Sequence, residues 1–193
     1  NKPKLIIMVD CGSTSNEAIS YLNKNNIKSL IIDHHEISKP YPKANIIINP
    51  KKDTGYIEYD YLCATTLTYF FLDLLISKTK TKFKISEFLI YVLLATVCDV
   101  MPLRKLNRLL ALVALKNFDI NKNIAIKELF NLNPKKNKIN ISDLGYLIGP
   151  ILNAGGRLGK SNLASKLLAS NNLKDVNIIS NELIKLNSKR KKI

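Results

Sequence analysis

An α/β fold, with a largely parallel sheet followed by a mainly helical part and a long last helix, is predicted by three features of the sequence. Short continuous apolar runs, "LIIMV", "LII" and "III", have the make-up of buried parallel strands. A helical pattern separates the first two, which is the spacing of a βαβ unit. From Tyr59 onward the apolar runs lengthen to helical size.

Taken in order, Leu5–Val9 is an apolar run that stops at Asp10-Cys11-Gly12, as a buried strand does when it leaves its sheet. "STSNEAISYLNKNN" offers a Ser/Thr cap and a helix with Ala18, Ile19 and Leu22 on one face. "KSLIIDHH" gives the second strand and "ANIIINP" the third, stopped by Pro50. "YLCATTLTYFFLDLLI" and "ISEFLIYVLLATVCDV" read as helices, the second ending near Asp99 and Pro102, with the basic loop "SKTKTKFK" between them. "NRLLALVALKNF" and "IAIKELFNL" are two further helices, and "NPKKNKIN" a second basic loop. Ser142 and Asp143 are cap candidates for a short helix running to Gly149. "GPILNAGGRLGK" is too rich in glycine for an ordinary helix interior. "NLASKLLAS" and a last helix, whose apolar face fades into "NSKRKK", close the chain. The parallel β/α part is expected over residues 1–57, the helical part over 58–160, and a helix leading onward over 161–193.

At 193 residues and 46% hydrophobic content, the chain can bury a sizeable core and does not have the composition of a disordered protein. No segment is long and apolar enough to cross a bilayer, and the first residues are no signal peptide, so a cytoplasmic protein with no membrane partner is expected. The strand-like run begins almost at once and without an initiator Met, which suggests an internal fragment. Cys11, Cys63 and Cys98 have no metal-binding spacing and read as small buried thiols. The net charge of +15 points to a polyanionic partner. Part of the lysine content goes with the Asn- and Ile-rich composition of an AT-rich genome. The four arginines, Arg104, Arg108, Arg157 and Arg190, carry more weight.

The chemistry gathers at the strand ends. Asp10 and Asp33-His34-His35 fall just past the carboxyl ends of neighbouring strands, the edge where open α/β sheets bind ligands. Both histidines of the chain stand there. With Asp99, Asp10 and His34 make a set of carboxylate and imidazole donors suited to Mn²⁺ or Mg²⁺, imidazole favouring Mn²⁺. A carboxylate with two oxygens can bridge two cations, and paired cations can clamp a phosphoryl group and activate water. Asp10 is placed for the bridge. Adjacent residues of an extended segment point in opposite directions, so one histidine is expected to ligate while the other faces a substrate phosphate. Each residue alone has a plainer reading, as a turn, a cap or a hydrogen-bonded structural histidine; their joint placement favours a metal site.

The Gly-rich segment has two readings. It is either a helix stop with a turn, or a concave set of donors formed by Asn153, the amides of 154–156 and Arg157, of the kind that binds phosphate. The basic loops 78–84 and 135–138 and the tail 189–192 read as solvated surface that adds nonspecific phosphate attraction.

"VDCG", "DHH", "LLATVCDVMPL", "NRLLALVAL" and "SDLGYLIGPILNAGGRLG" stand in the order seen in RecJ-type single-strand-specific DNA exonucleases of the DHH phosphoesterase superfamily, which the chain resembles over nearly its whole length. The resemblance implies a Rossmann-like DHH domain with a five-stranded, largely parallel sheet and two Mn²⁺ or Mg²⁺ ions at its carboxyl edge. It implies digestion of single-stranded DNA from the 5′ end in repair and recombination. Asp10 would be the metal-bridging carboxylate with a catalytic part, His34 and Asp99 metal ligands, and His35 the catalytic histidine near the scissile phosphate. Asn153, Arg157 and Arg108 would contact DNA phosphates, and the helix from Leu173 would lead to a second domain.

Three departures accompany the resemblance. The family's amino-terminal Asp-rich motif does not precede Asn1, and its carboxyl-terminal nucleic-acid-binding domain is not in this sequence, so the chain alone is expected to be inactive. Ile151 stands where the family usually has Arg, which removes a charge-assisted phosphate contact of roughly 1.5–3 kcal/mol. Two other readings stay open: a small-substrate DHH phosphoesterase cleaving oligonucleotides or pyrophosphate, and a non-catalytic DHH binding module.

Overall fold

The computed structural model describes residues 2–131 and 138–192, with the backbone alone at 54–56. Two compact units emerge, Asn1–Leu112 and Val113–Ile193.

In the first unit, strands β1 (Leu5–Val9), β2 (Lys28–Ile32) and β3 (Ile46–Ile48) form a parallel sheet in the order β1-β2-β3. Helix α1 (Asn16–Lys24) crosses from β1 to β2 and completes the expected βαβ unit. It buries Ile19 and Leu22 with Ile27 and Ile31, and Ile6, Met8 and Ile47 pack on this cluster. Those residues share one face of the sheet because side chains alternate along a strand. Ala18, expected on the same helix face, is exposed. Ser15 occupies the cap position without a side-chain bond. The helix ends where Ile27 N donates to Leu22 O across Asn26, whose φ of +55° is one that Asn tolerates.

Two differences from the sequence reading concern this sheet. Three strands are present among the described residues, rather than the five implied by the resemblance. The first strand is not buried on both faces: Leu5, Ile7 and Val9 are exposed while Leu30 and Ile32 of β2 are buried. The reason is position, since among the described residues β1 is paired on one side alone and β2 is central.

Helix α2 (Ala64–Thr79) lies against β1 and β2. A 3₁₀ turn at Ile85–Phe88 leads into α3 (Leu89–Cys98), whose Ile90, Val92, Leu93 and Leu94 are buried. Helix α4 (Lys105–Asn117) follows, and the boundary between the units falls within it. Its Asn107 is buried and donates to Tyr61 O at 2.8 Å and Pro102 O at 3.1 Å.

The second unit contains α5 (Ile124–Phe130), a π-helical turn at Asp143–Ile148 running straight into α6 (Gly149–Arg157), then α7 (Asn162–Ala169) and α8 (Leu173–Arg190). The expected short helix to Gly149 therefore continues. Ser142 makes no side-chain cap, whereas Asn140 Oδ1 accepts from Asp143 N and Asp143 Oδ2 from Asn140 N.

The Gly-rich segment is an α-helix, contrary to expectation. Pro150 sits in its first turn, directly after the π-helical turn. Gly155 serves packing, since a Cβ there would lie 2.7 Å from Lys160 O and 3.2 Å from Leu183 Cδ2 of α8, whereas a Cβ at Gly156 would meet nothing within 4 Å. The helix stops at Gly159, φ +76°, where Lys160 N donates back to Gly155 O at 2.8 Å.

No described helix is long and apolar enough to cross a membrane.

Candidate metal centre

The three strands stop in one row. Val9 pairs with Ile32 and Ile32 with Ile48, so Asp10, Asp33 and Asn49 occupy the next row beyond the ladder. Asp10 N still donates to Ile32 O and Asp33 N to Ile48 O, both at 2.9 Å. Three polar side chains thus emerge side by side at the carboxyl edge.

The backbone around this row is bent to present them. Asp10 has φ +62°, in the left-handed region that Asp enters at less cost than most residues. Gly12 follows at φ +111°, and a Cβ there would meet Ile31 Cγ1 and Met8 Sδ at 3.1 Å, so glycine is required. At the end of α3, Asp99 N donates to Ala95 O and Met101 N to Thr96 O, both at 2.9 Å. Between them Val100 has φ +55° and is exposed, the place in this helix stop usually taken by glycine. This reversal presents Asp99.

His34 Nε2 lies 3.3 Å from Asp10 Oδ1 and 3.8 Å from Asp99 Oδ2. Ligand atoms of Asp10, His34 and His35 all fall within 4.8 Å of one another. Around a divalent cation with bonds of about 2.1 Å, neighbouring octahedral ligands are about 3 Å apart and opposite ones about 4.2 Å. The donor set therefore fits a cation of that size with little rearrangement. The His34 side chain is 10% exposed, against 58% for Asp10 and 42% for Asp99. The ring forms a floor and the carboxylates a rim, which leaves one side open to a substrate. Burial pushes the Asp99 carboxyl above its ordinary range and the Asp10 charge pushes the same way, while His34 and His35 oppose them.

Asp33 holds the segment together. It is 1% exposed and accepts four hydrogen bonds: from Ser13 N at 3.0 Å, His34 N at 2.8 Å, His35 N at 3.3 Å and His35 Nδ1 at 2.7 Å. Burial alone would raise its pKa. The bonds from Ser13 and His35 outweigh that and hold the carboxyl well below the usual carboxylate range. As an ionised acceptor it receives a hydrogen bond from His35 Nδ1–H, which leaves Nε2 as the acceptor in the neutral ring. The same bond raises the His35 pKa against the opposing effect of burial.

This carboxylate also explains a departure from expectation. The two histidine rings do not point in opposite directions; their centroids are 4.6 Å apart. The strand has ended at Ile32, and Asp33 gathers the next two amides into a turn that brings both rings to one side. Their surroundings still differ, with His34 buried and the His35 side chain 60% exposed.

Of the residues singled out in the sequence, Asp10, His34, His35 and Asp99 are brought together. Arg108 is exposed on α4 of the first unit. Asn153 and Arg157 are exposed on α6 of the second, four residues apart and so on one face of that helix. The amides of 154–156 are spent inside the helix and form no concave donor surface. Ile151 is 3% exposed, within the apolar interior of its unit. Cys63 is buried as expected, Cys98 half-buried with its thiol pushed up to about 11 by burial and the neighbouring Asp99, and Cys11 exposed beside the site. Residues 135–137 of the second basic loop lie outside the described residues. Asp33, Ser13 and Asn49 were not assigned roles from sequence. The signal for Asn49 was its register: it follows "III" as Asp10 follows "IIMV" and Asp33 follows "LII".

Residues 1–96 match the DHH family, N-terminal domain. The single-stranded-DNA-specific exonucleases RecJ of Haemophilus influenzae and Escherichia coli are each 30% identical over 202 residues, covering 98% of this chain and 35% of theirs. RecJ of Bacillus subtilis is 26% identical over 190 residues, 24% of its length. The chain thus spans about a third or less of these relatives. The crystal structure of Thermus thermophilus RecJ in complex with Mn²⁺ superposes with a TM-score of 0.86 at 23% identity, covering 98% of this chain and 28% of that one. A crystal structure of exonuclease RecJ bound to manganese gives the same TM-score and identity over 48% of its chain. The likeness to these structures is one of fold.

Proposed function

Because this chain belongs to the DHH family and is of the RecJ type, we propose that it forms the metal-binding part of a single-strand-specific DNA exonuclease that digests from the 5′ end in repair and recombination. The observation that carries the reading is the convergence of His34 Nε2 with Asp10 Oδ1 and Asp99 Oδ2, within 3.8 Å, at the carboxyl edge of a parallel sheet.

Asp10, His34 and Asp99 would hold Mn²⁺ or Mg²⁺, with the second oxygen of Asp10 available to a second ion. Cations bound there would supply charge neutralisation and an activated water for hydrolysis of a phosphodiester. His35 is held through Nδ1 by Asp33 and its side chain is 60% exposed, so its Nε2 would be the atom to hydrogen-bond the scissile phosphate or its leaving oxygen. Asn153, Arg157 and Arg108 are exposed donors suited to backbone phosphates of single-stranded DNA. Ile151, apolar and buried, contributes nothing to that contact. The net charge of +15 supplies sequence-independent attraction.

The test is digestion of a long single strand by the intact protein with Mn²⁺, comparing 5′ and 3′ end labels. His34→Ala should abolish activity and leave the fold intact. Undiminished Mn²⁺-dependent digestion by that variant refutes the reading.

A further inference from the structure

Asn49 links the two loops that carry the proposed metal ligands, and no role in a reaction has been assigned to it above. It follows β3 in the same row as Asp10 and Asp33 and is 5% exposed. Its Nδ2 donates to Ser13 Oγ at 2.8 Å and to the His35 carbonyl at 2.9 Å. Its Oδ1 accepts from Lys51 N at 2.9 Å. A carbonyl can only accept and a backbone amide can only donate, so the side-chain amide has one orientation that satisfies all three partners. Both Nδ2 protons are used.

The consequence lies in what those partners carry. Ser13 belongs to the loop that begins at Asp10, and its own amide donates to Asp33. His35 belongs to the segment that Asp33 turns, and its Nδ1 is bound to the same carboxylate. Asn49, Ser13, Asp33 and His35 thus close a ring of hydrogen bonds across the ends of all three strands. The backbone here is irregular and no longer held by the strand ladder; β1 and β2 loops are tied to each other through Asp33 and to β3 through Asn49.

We propose that Asn49 is a positioning residue for the cation site: it fixes the loop of Asp10 against the segment of His34 and His35, so that their ligand atoms stay within bonding reach of one ion. The inference rests on the metal-site reading above. Supporting residues of this kind typically change metal affinity 10- to 100-fold when removed. Aspartate has the same shape but sets an acceptor against the His35 carbonyl, so shape alone cannot restore the function.

The experiment uses the intact protein and three variants, Asn49→Ala, Asn49→Asp and Ser13→Ala. Mn²⁺ affinity is read by electron paramagnetic resonance titration, and the His35 ring by nitrogen-15 NMR without metal. Asn49→Ala and Asn49→Asp should each weaken Mn²⁺ binding about 10- to 100-fold. They should also shift the His35 ring away from its fixed Nδ1-protonated form. Ser13→Ala removes one of the two links and keeps the Ser13 amide, so its effect should be the same in kind and smaller. A purely structural Asn49 would lower the melting temperature yet leave both readouts of the folded variants at wild-type values, and that result overturns the proposal. If the wild type itself binds no Mn²⁺, the metal reading fails, and the ring signature alone then decides whether Asn49 positions His35.

Discussion

Replacing Asp10 separates what its carboxylate does from what its backbone does. The side chain is 58% exposed, so Asp10→Asn removes little packing and should change stability by no more than about 0.5 kcal/mol. The φ of +62° is one that Asn tolerates, whereas Ala there should cost roughly 1–2 kcal/mol of strain. Stability should therefore rank glycine and asparagine close to the wild type and alanine below them. Metal binding should follow a different order. All three variants lose the anionic oxygen 3.3 Å from His34 Nε2. Loss of a direct ligand should exceed the effect of losing a supporting residue, which sets a lower bound of about 100-fold in Mn²⁺ affinity, or about 2.8 kcal/mol. Urea unfolding without metal and calorimetric titration with Mn²⁺ measure the two scales separately. Wild-type Mn²⁺ affinity in Asp10→Asn would refute Asp10 as a ligand; an affinity that tracked stability across the series would show that the backbone, not the carboxylate, had been measured.

Gly12→Ala should destabilise the first unit by roughly 2–4 kcal/mol, from strain at φ +111° plus contacts of 3.1 Å with Ile31 and Met8; a smaller change in urea unfolding would mean that the loop relaxes. Gly155→Ala should lower the melting temperature although alanine favours helix, because its Cβ would meet Lys160 O at 2.7 Å. An increase would show that α6 can shift. Val100→Gly should stabilise the metal-free protein by about 1 kcal/mol, since Val100 is exposed and strained, while weakening Mn²⁺ binding by loosening Asp99. Unchanged affinity would detach that strain from the site.

The strands and the ligand edge were legible because a parallel strand buried among others needs a continuous apolar run, and the first polar residue after each run marks where it ends. That rule locates Asp10 and Asp33 correctly, and applied to "IIINP" it also locates Asn49. Asp99 was legible through the end of a long apolar helix, though the left-handed Val100 that turns it was not, because valine carries no signal for that conformation. The Gly-rich segment misled for a physical reason. Glycine disfavours a helix through backbone entropy and is accepted when a neighbouring backbone comes too close for a Cβ, as Lys160 does at Gly155. The direction of the histidine rings depended on hydrogen bonds to Asp33, which turn the backbone out of the extended geometry that alternation assumes.

Strain and ligation stand next to each other along this chain. Asp10 is itself left-handed, and Val100 directly follows Asp99. Val100 would cost on the order of 1 kcal/mol and Asp10, whose side chain tolerates this region, less, an appreciable part of a typical folding free energy of about 5–15 kcal/mol. A bound cation offsets a sum of that size: at a hundred times its dissociation constant, a ligand specific to the native state stabilises it by about 2.7 kcal/mol. The geometry that converges on His34 is therefore one the backbone alone does not favour. Its retention without metal falls to Asp33, whose four hydrogen bonds join the β1 loop to the histidine segment, and to Asn49, which ties both to β3.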